Sequence, residues 1–521
     1  MMATLLTGTA LAAQDPASDS GPSAEDRSAI EASGPSAPTV EAGMVMLDYM
    51  KIPIEGYRSI DLLGFNFYKK VNDWLYVGVG GYAPLVEGDY GGTMAFDISV
   101  HAQRKLVGNL FGNVGVALGA GGGGNSVEQS KLVFGSGGFQ KAYIGLGYDF
   151  SSFTAGANFA KVKFTGSPID SSQLNLFIQV PFSYYAGPYA SAGTMVPAMR
   201  DTGPDGDHAR PMESIFEIGV DNIVQINPEG SYKGNINLVN VQFSHFIAED
   251  VYALIDAGIG FHGLPTYNQI FGGLGYRYAY SDRFNIRGQF AIGSGGYAAE
   301  KINTGAGLLL YPKVAAEYMM TKDVGFSLSG GYLYAPTGSS KNVTWGASLN
   351  FHHSPADWAL ASADGTAQAR YQGYRVNLFG QGEFNANTER GDQGTLKLLS
   401  MQVDNVFHRN FYFPIQLSGA FNQYLGYPGY AELLAGLGVQ TEYSSDNRFQ
   451  WFAQMLLGTN VNGPLAKPGI GVNVALSDQL AIYAMAGGTF SLNNSSQHPN
   501  QQFKSPTVGL GLTYRFSLPR T

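Results

Sequence analysis

Strict two-residue alternation runs through this chain, and its two faces are the wrong pair for a water-soluble sheet. Along Val508 to Phe516, the residues Val508, Leu510, Leu512, Tyr514 and Phe516 share one face, and Gly509, Gly511, Thr513 and Arg515 share the other. Val343 to His352 sets Val343, Trp345, Ala347, Leu349 and Phe351 against Thr344, Gly346, Ser348, Asn350 and His352. Leu174 to Phe182 sets Leu174, Leu176, Ile178, Val180 and Phe182 against Asn175, Phe177, Gln179 and Pro181. Period two marks strands with one apolar face. A soluble sandwich buries its aliphatic face and exposes charge. Here the second face is mostly Gly, Ala, Ser, Thr and Asn, as a confined interior requires, so the apolar face looks outward to hydrocarbon. No segment approaches the ~20 apolar residues of a membrane helix, so the chain crosses with strands.

Composition agrees. Glycine supplies 70 of 521 residues, Tyr 31 and Phe 32, while charged residues are only 14% against a usual ~25%. A net charge of −9 with no basic block argues against nucleic acid as a partner. The absence of cysteine excludes a disulfide scaffold and a thiolate metal site. The aromatic content is too high for a disordered chain, and no three-residue collagen period exists.

The start, MMATLLTGTALAAQDP, carries a short apolar run from Ala3 to Ala12 that ends in the small-x-small pattern Ala10-Leu11-Ala12. It resembles the end of a secretory signal peptide with its basic head truncated, spanning residues 1–13. Residues 14–43 open with a Ser-, Pro- and acid-rich stretch with too little apolar surface to offset ordering entropy, and read as a disordered linker.

The three alternating segments end at Phe182, Phe351 and Phe516, at intervals of 169 and 165 residues. Spacing on that scale indicates internal duplication. GGLGYRYAYSDRF from Gly272 matches AGLGVQTEYSSDNRF from Ala435 and, more loosely, GGTMAFDISV from Gly91. The middle repeat parses into eight strands, near 216–224, 237–246, 251–262, 270–280, 284–293, 304–318, 324–335 and 343–352. Tight turns at Ala248–Asp250, Ser281–Arg283 and Thr321–Asp323 alternate with longer connections, among them Asn227–Gly234 and Ser294–Asn303. Short periplasmic and longer extracellular connections alternate in this way. Ser294–Asn303 and the loop around His498 are therefore expected outside, and Ser281–Arg283 inside.

On these strands and turns the chain resembles the small eight-stranded outer-membrane barrels, of the kind formed by the OmpA transmembrane domain, repeated three times over about residues 44–517. The resemblance is to a class rather than to one family. It implies an all-β, transmembrane, antiparallel up-and-down barrel fold integral to the bacterial outer membrane. Each repeat also ends in an apolar-x-apolar-x-aromatic strand, last in Val508, Leu510, Leu512, Tyr514 and Phe516, which resembles the signal read by barrel-assembly machinery; here five residues, Ser517 to Thr521, follow the aromatic. Three small barrels and one closed 24-stranded barrel both accommodate the strand count. Neighbouring strands in one sheet lie about 4.8 Å apart and need no long connection, so the long segments favour tandem barrels. The expected units are repeat 1 at 44–185, a linker at 186–212, repeat 2 at 213–353, a linker at 354–371 and repeat 3 at 372–517.

Inside such barrels Glu217, Asp221, Asp256, Arg277, Arg287 and Arg515 point inward, where buried charge needs partners, so they read as structural ion pairs. Gly273, Gly275, Ala279, Gly436 and Gly438 suit an interior short of volume. The glycine run Gly119 to Gly124, with no helix expected after it, reads as a mobile loop rather than a phosphate cradle. Trp74, Trp451, Tyr76 and Tyr443 lie beside tight turns, where interfacial aromatic girdles belong. His101 and His352 read as inward strand positions, His208 and His498 as loop residues. No G-x-S-x-G elbow occurs, and the acidic run Asp201 to Asp207 lacks the closing Glu of a calcium loop. No catalytic set, cofactor or metal is expected. Expected partners are outer-membrane lipid and lipopolysaccharide, the assembly machinery and an unidentified envelope or polysaccharide component. Two functions follow from the two architectures. Narrow, filled barrels serve as a non-catalytic scaffold or surface-interaction protein, whereas a wide pore serves as a porin or exporter of a polymer such as an exopolysaccharide.

Overall fold

The computed structural model describes residues 37–151, 153–196, 213–265, 267–353, 369–388, 391–442, 448–492 and 503–520. The first unit comprises β1 (Thr39–Ile52), β2 (Ile60–Lys70), β3 (Leu75–Pro84), β4 (Met94–Val107), β5 (Leu110–Gly122), β6 (Gly138–Asp149), β7 (Thr154–Phe164) and β8 (Asp170–Ala186). The second comprises β9 (Ser214–Gln225), β10 (Ile236–Phe246), β11 (Val251–His262), β12 (Asn268–Ser281), β13 (Phe284–Gly296), β14 (Leu308–Met319), β15 (Val324–Tyr334) and β16 (Lys341–His353). The third runs from β17 (Arg370–Glu383) through a small hairpin, β18 (Asn387–Thr388) and β19 (Gly391–Asp392), to β20 (Leu396–His408), β21 (Phe411–Ala420), β22 (Ala431–Gln440), β23 (Phe449–Asn460), β24 (Gly463–Ala475), β25 (Leu480–Ser491) and β26 (Phe503–Arg520).

Three seams decide the architecture. β1 pairs with β8 from Thr39 opposite Ala186 to Met50 opposite Asn175. β9 pairs with β16 from Ser214 opposite His353 to Gln225 opposite Asn342. β17 pairs with β26 from Arg370 opposite Arg520 to Glu383 opposite Thr507. Each eight-strand set closes on itself, with the β18–β19 hairpin rising from the rim of the third. The chain is three tandem transmembrane barrels, and the 24-stranded alternative is not adopted. Closure is what lipid demands, since an unpaired strand edge leaves backbone groups unsatisfied at several kcal/mol each in hydrocarbon.

The strands outrun the ends of the expected units. β1 begins at Thr39, inside the stretch read as linker, because Thr39 to Gly43 continue the ladder onto β8. β26 continues past Phe516 to Arg520, because Ser517 to Arg520 pair with Arg370 to Gly373. The expected leader, Asp201 to Asp207, His208, Tyr443 and His498 lie outside the described residues.

The barrels touch laterally where small residues admit large ones. Phe65 of barrel 1 lies on Gly272 of barrel 2, where an added Cβ would come 2.5 Å from the ring. Phe96 of barrel 1 lies on Gly419 of barrel 3 in the same way. The three terminal aromatics make further contacts of this kind: the Phe351 ring is 6.4 Å from Phe413 of barrel 3, and Phe516 is 6.5 Å from Tyr184 of barrel 1, which is itself 6.2 Å from Phe182. Val508, Leu510 and Leu512 are exposed on the outer wall, while Tyr514 on the same face is half-buried. Its ring lies beneath Lys69 of barrel 1, 4.8 Å from Nζ.

Candidate functional site: three filled lumens beneath interlocked loops

The inward face of every strand fills a narrow interior. In barrel 2, Arg287 donates to Glu217 at 2.5 and 3.0 Å and lies 3.8 Å from Glu317. His352 links Glu317 at 2.9 Å to Glu213 at 2.7 Å, and Arg277 joins Glu213 at 2.6 Å while stacking 4.2 Å from the Phe246 ring. Asp221 lies 3.5 Å from Lys313. Asp256 is buried, with neither oxygen hydrogen-bonded to any described residue. Glu217, Asp221, Asp256, Arg277 and Arg287 therefore share one lumen, and only Glu217 and Arg287 pair with each other. Sequence reasoning missed Glu213, Glu317 and Lys313. Glu213 precedes the first strand, while the period-two pattern places Lys313 and Glu317 inward with the others.

Barrel 3 uses different pairs on the same plan. Arg375 donates to Asp404 at 2.9 Å, and Asn377 and Gln402 donate to the same carboxylate at 2.9 and 2.7 Å. Lys467 bridges Glu383 at 3.0 Å and Glu432 at 2.6 Å. Arg515, fully buried, donates to the Ser477 carbonyl and stacks 5.2 Å from the Tyr189 ring. In barrel 1, Lys141 pairs with Asp48, and His101 contacts the Tyr143 hydroxyl at 2.6 Å. Tyr76 turns inward beside His101, 5.9 Å between rings, rather than joining a girdle; Trp74 and Trp451 are exposed.

Apolar side chains stop the long-loop ends. In barrel 1 a helix, α1 (Val127–Phe134), begins at Ser126, whose hydroxyl accepts from the Gln129 N–H, and buries Val133 and Phe134 against Ile52, Tyr82 and Phe164. In barrel 3, Leu396, Leu398, Tyr424, Tyr430 and Phe503 form the equivalent stopper. The tight-turn end of barrel 3 is closed by the segment after β8. Tyr189 packs among Phe379, Tyr412, Phe452 and Tyr483, and Asp478 accepts the N–H groups of Tyr189 and Ala190 at 2.8 and 3.0 Å. Gly193 and Val196 then donate to the carbonyls of Tyr371 and Ala369 at 2.7 and 3.0 Å. What reads as the start of a linker between barrels 1 and 2 is thus partly a cap on barrel 3.

The long loops interlock above these stoppers. Gly91 donates to the Gly305 carbonyl at 3.1 Å, Leu308 to Leu85 at 2.8 Å and Ala299 to Asn125 at 2.6 Å, tying barrels 1 and 2. The Gln423 amide donates to the Gly135 carbonyl at 2.7 Å between barrels 3 and 1, and Thr459 to Gly260 at 3.1 Å between barrels 3 and 2. The glycine run at 119–124 is not a free loop. It ends β5, and its bare backbone lets Gly122 lie against Pro428 and Gly429 of barrel 3.

One catalytic pattern escaped the sequence reading. Ser214 and His245 share a 2.9 Å hydrogen bond on the outer wall of barrel 2. Among the described residues no carboxylate is hydrogen-bonded to His245, so the pair has no orienting acid.

No known family model matches this chain, and no curated protein sequence does. Among solved structures it is similar to the siderophore receptor PirA from Pseudomonas aeruginosa, at 9% identity over 93% of this chain and 81% of that one, with a TM-score of 0.26. It is similar to the Yersinia pestis outer membrane protein Ail at 12% identity, covering 27% of this chain and 99% of that one, TM-score 0.20. The NanC porin matches at 10% identity over 56% of this chain and 98% of that one, TM-score 0.17. Likenesses this distant are of barrel architecture alone.

Proposed function

We propose that this protein is an integral bacterial outer-membrane scaffold without catalytic activity, whose three barrels carry one rigid, interlocked surface of extracellular loops for contact with another envelope component. The observation that carries this reading is the filling of the lumens: ionic and hydrogen-bonded layers at mid-height, with apolar stoppers below the long loops. A narrow barrel filled by its own side chains offers no path to solutes of any size. The hydrogen bonds between loops of all three barrels support a single presenting surface, and the unassisted Ser214–His245 pair gives little support to a hydrolase. The transport reading, as porin or polymer exporter, needs a lumen that opens. Conductance of the purified chain in planar bilayers tests it. The scaffold reading expects no stable steps above the bare-bilayer baseline, whereas reproducible steps that persist as protein is diluted favour transport.

A further inference from the structure

Barrels 2 and 3 carry the same local weakness in their walls and treat it differently. In barrel 2 the β14–β15 ladder runs from Leu310 opposite Tyr334 to Lys313 opposite Gly331, skipping two rows, in the second of which Pro312 faces Tyr332. In barrel 3 the β24–β25 ladder skips the same two rows, between Ala466 opposite Phe490 and Gly469 opposite Gly487, and in the second Pro468 faces Gly488. Proline brings no N–H to a ladder. On its other side Gly488 faces a second proline, Pro506 of β26, where barrel 2 sets Val343 beside Tyr332. Barrel 2 thus places a tyrosine in its weak row, while barrel 3 runs Pro–Gly–Pro across three strands, with the Phe490 ring leaning over Gly488, 2.8 Å from where a Cβ would stand.

A cavity of about 570 Å³ opens on that row, lined by Pro468, Ile470, Ala486, Gly488, Phe490 and Pro506, with Lys504 also at its wall. Its volume falls within the roughly 300–1,000 Å³ of ordinary ligand sites. Ile470, Val508 and Leu510 around it are exposed on the outer wall, so hydrocarbon rather than water surrounds its mouth. Gly488 and Pro506 each lie three residues from the long-loop ends of β25 and β26. Lys504 is one residue from the start of β26, directly opposite Phe490. The groove therefore descends from an interfacial cation into the outer half of the hydrocarbon.

We propose that this groove on barrel 3 is a binding site for a lipid of the surrounding leaflet bearing an anionic phosphate headgroup, with one acyl chain laid along Ile470, Ala486 and Pro506 beside the Phe490 ring and the phosphate at Lys504. Charge complementarity selects the headgroup. Lys504 makes no ion pair with any described residue, and an ammonium held at the interface attracts phosphate. The groove selects the chain, because the lipid-facing space beside the Phe490 ring, between Pro468, Ala486 and Pro506, forfeits dispersion contacts that an acyl chain restores. The inference rests on the membrane-spanning reading of the barrels and deepens the proposed function by naming a lipid partner.

Photo-crosslinking of the full chain in phosphatidylcholine nanodiscs tests it. One set contains a small fraction of phosphatidylglycerol with a diazirine in its acyl chain, and a second set contains the equivalent photoactivatable phosphatidylcholine. Adducts are mapped by mass spectrometry. The expected result is anionic-probe adducts several-fold more frequent on Ala486–Phe490 and Pro468–Ile470 than on Val314 and Tyr332 of barrel 2. Lys504→Gln should erase the preference for the anionic probe, and Ala486→Leu, filling the groove, should remove the adducts for both probes. Heat-modifiable migration of each variant on gels confirms that it is folded. Equal labelling of barrels 2 and 3, or an anionic preference unchanged in Lys504→Gln, overturns the proposal. Bilayer conductance is indifferent to these outcomes, so failure of the lipid site and failure of the scaffold reading are separable.

Discussion

Barrels 1 and 2 have the same strand number and nearly the same outline, yet their interiors are held in opposite ways. Barrel 2 links Arg277, Glu213, His352, Glu317, Arg287 and Glu217 in one continuous series of ion pairs. Inside barrel 1, among the described residues, Lys141–Asp48 is the single fully buried ion pair, and the buried amides of Asn113, Asn158 and Asn175 have no hydrogen-bond partner there. A narrow barrel therefore constrains the polarity and volume of its filling but not the pairing. Where charges interlock, each member becomes indispensable, because its loss strands a buried charge. Where neutral amides stand unpaired, each is replaceable, because nothing else depends on it.

Four variants sharpen or break that contrast, read as shifts in urea titrations of folding into lipid vesicles. The largest effect is expected from Arg287→Leu, which leaves Glu217 without its cation in a closed lumen and should destabilise by about 3–5 kcal/mol. Next comes Leu512→Arg on the outer wall, at about 2–4 kcal/mol if near the bilayer midplane. Its neighbour Thr513→Ser keeps the hydroxyl that lies within hydrogen-bond distance of the Asn377 and Asn473 side chains, at 2.6 and 3.0 Å, and should change little. The smallest effect is expected in barrel 1. Asn158 and Asn175 lie directly opposite one another, and replacing both by Leu should stay within about 1 kcal/mol of the parent in either direction. A loss there as large as that of Arg287→Leu would erase the distinction between the two interiors.

Strand content, repeat length and inward face were legible because period two is a local property that each strand must obey on its own. The expected strands 251–262 and 324–335 fall within a residue of β11 and β15 at each end. The site was legible only as a set. Alternation placed Glu217, Asp221, Asp256 and Arg287 inward but could not say who meets whom, because pairing across a lumen depends on strand tilt and stagger. Arg277 meets Glu213, which precedes the first strand, and Arg515 meets Tyr189, which lies outside its own repeat. The contact of Tyr514 with Lys69 of barrel 1 was beyond reach for the same reason. Alternation separates inside from outside, and whether outside means lipid or a neighbouring barrel is a long-range fact. The short segment Gly187 to Val196 carries no period at all, and its role as a cap follows from the buried aromatics at the mouth of barrel 3 that Tyr189 joins.

The central claim is that each repeat closes on itself within the whole chain, and the absence of native cysteine makes it directly measurable. Ala347 of β16 faces Val220 of β9 across the closing seam of barrel 2. Facing residues in antiparallel strands have Cβ atoms about 4.5–5.5 Å apart, close enough for a disulfide with modest adjustment. The double variant Ala347→Cys/Val220→Cys, oxidised in membranes, should cross-link efficiently, while Ile178→Cys/Val220→Cys, joining β8 to β9 as neighbours in one wide barrel would be, should stay reduced. A reduced seam pair together with a cross-linked β8–β9 pair would contradict the three-barrel account.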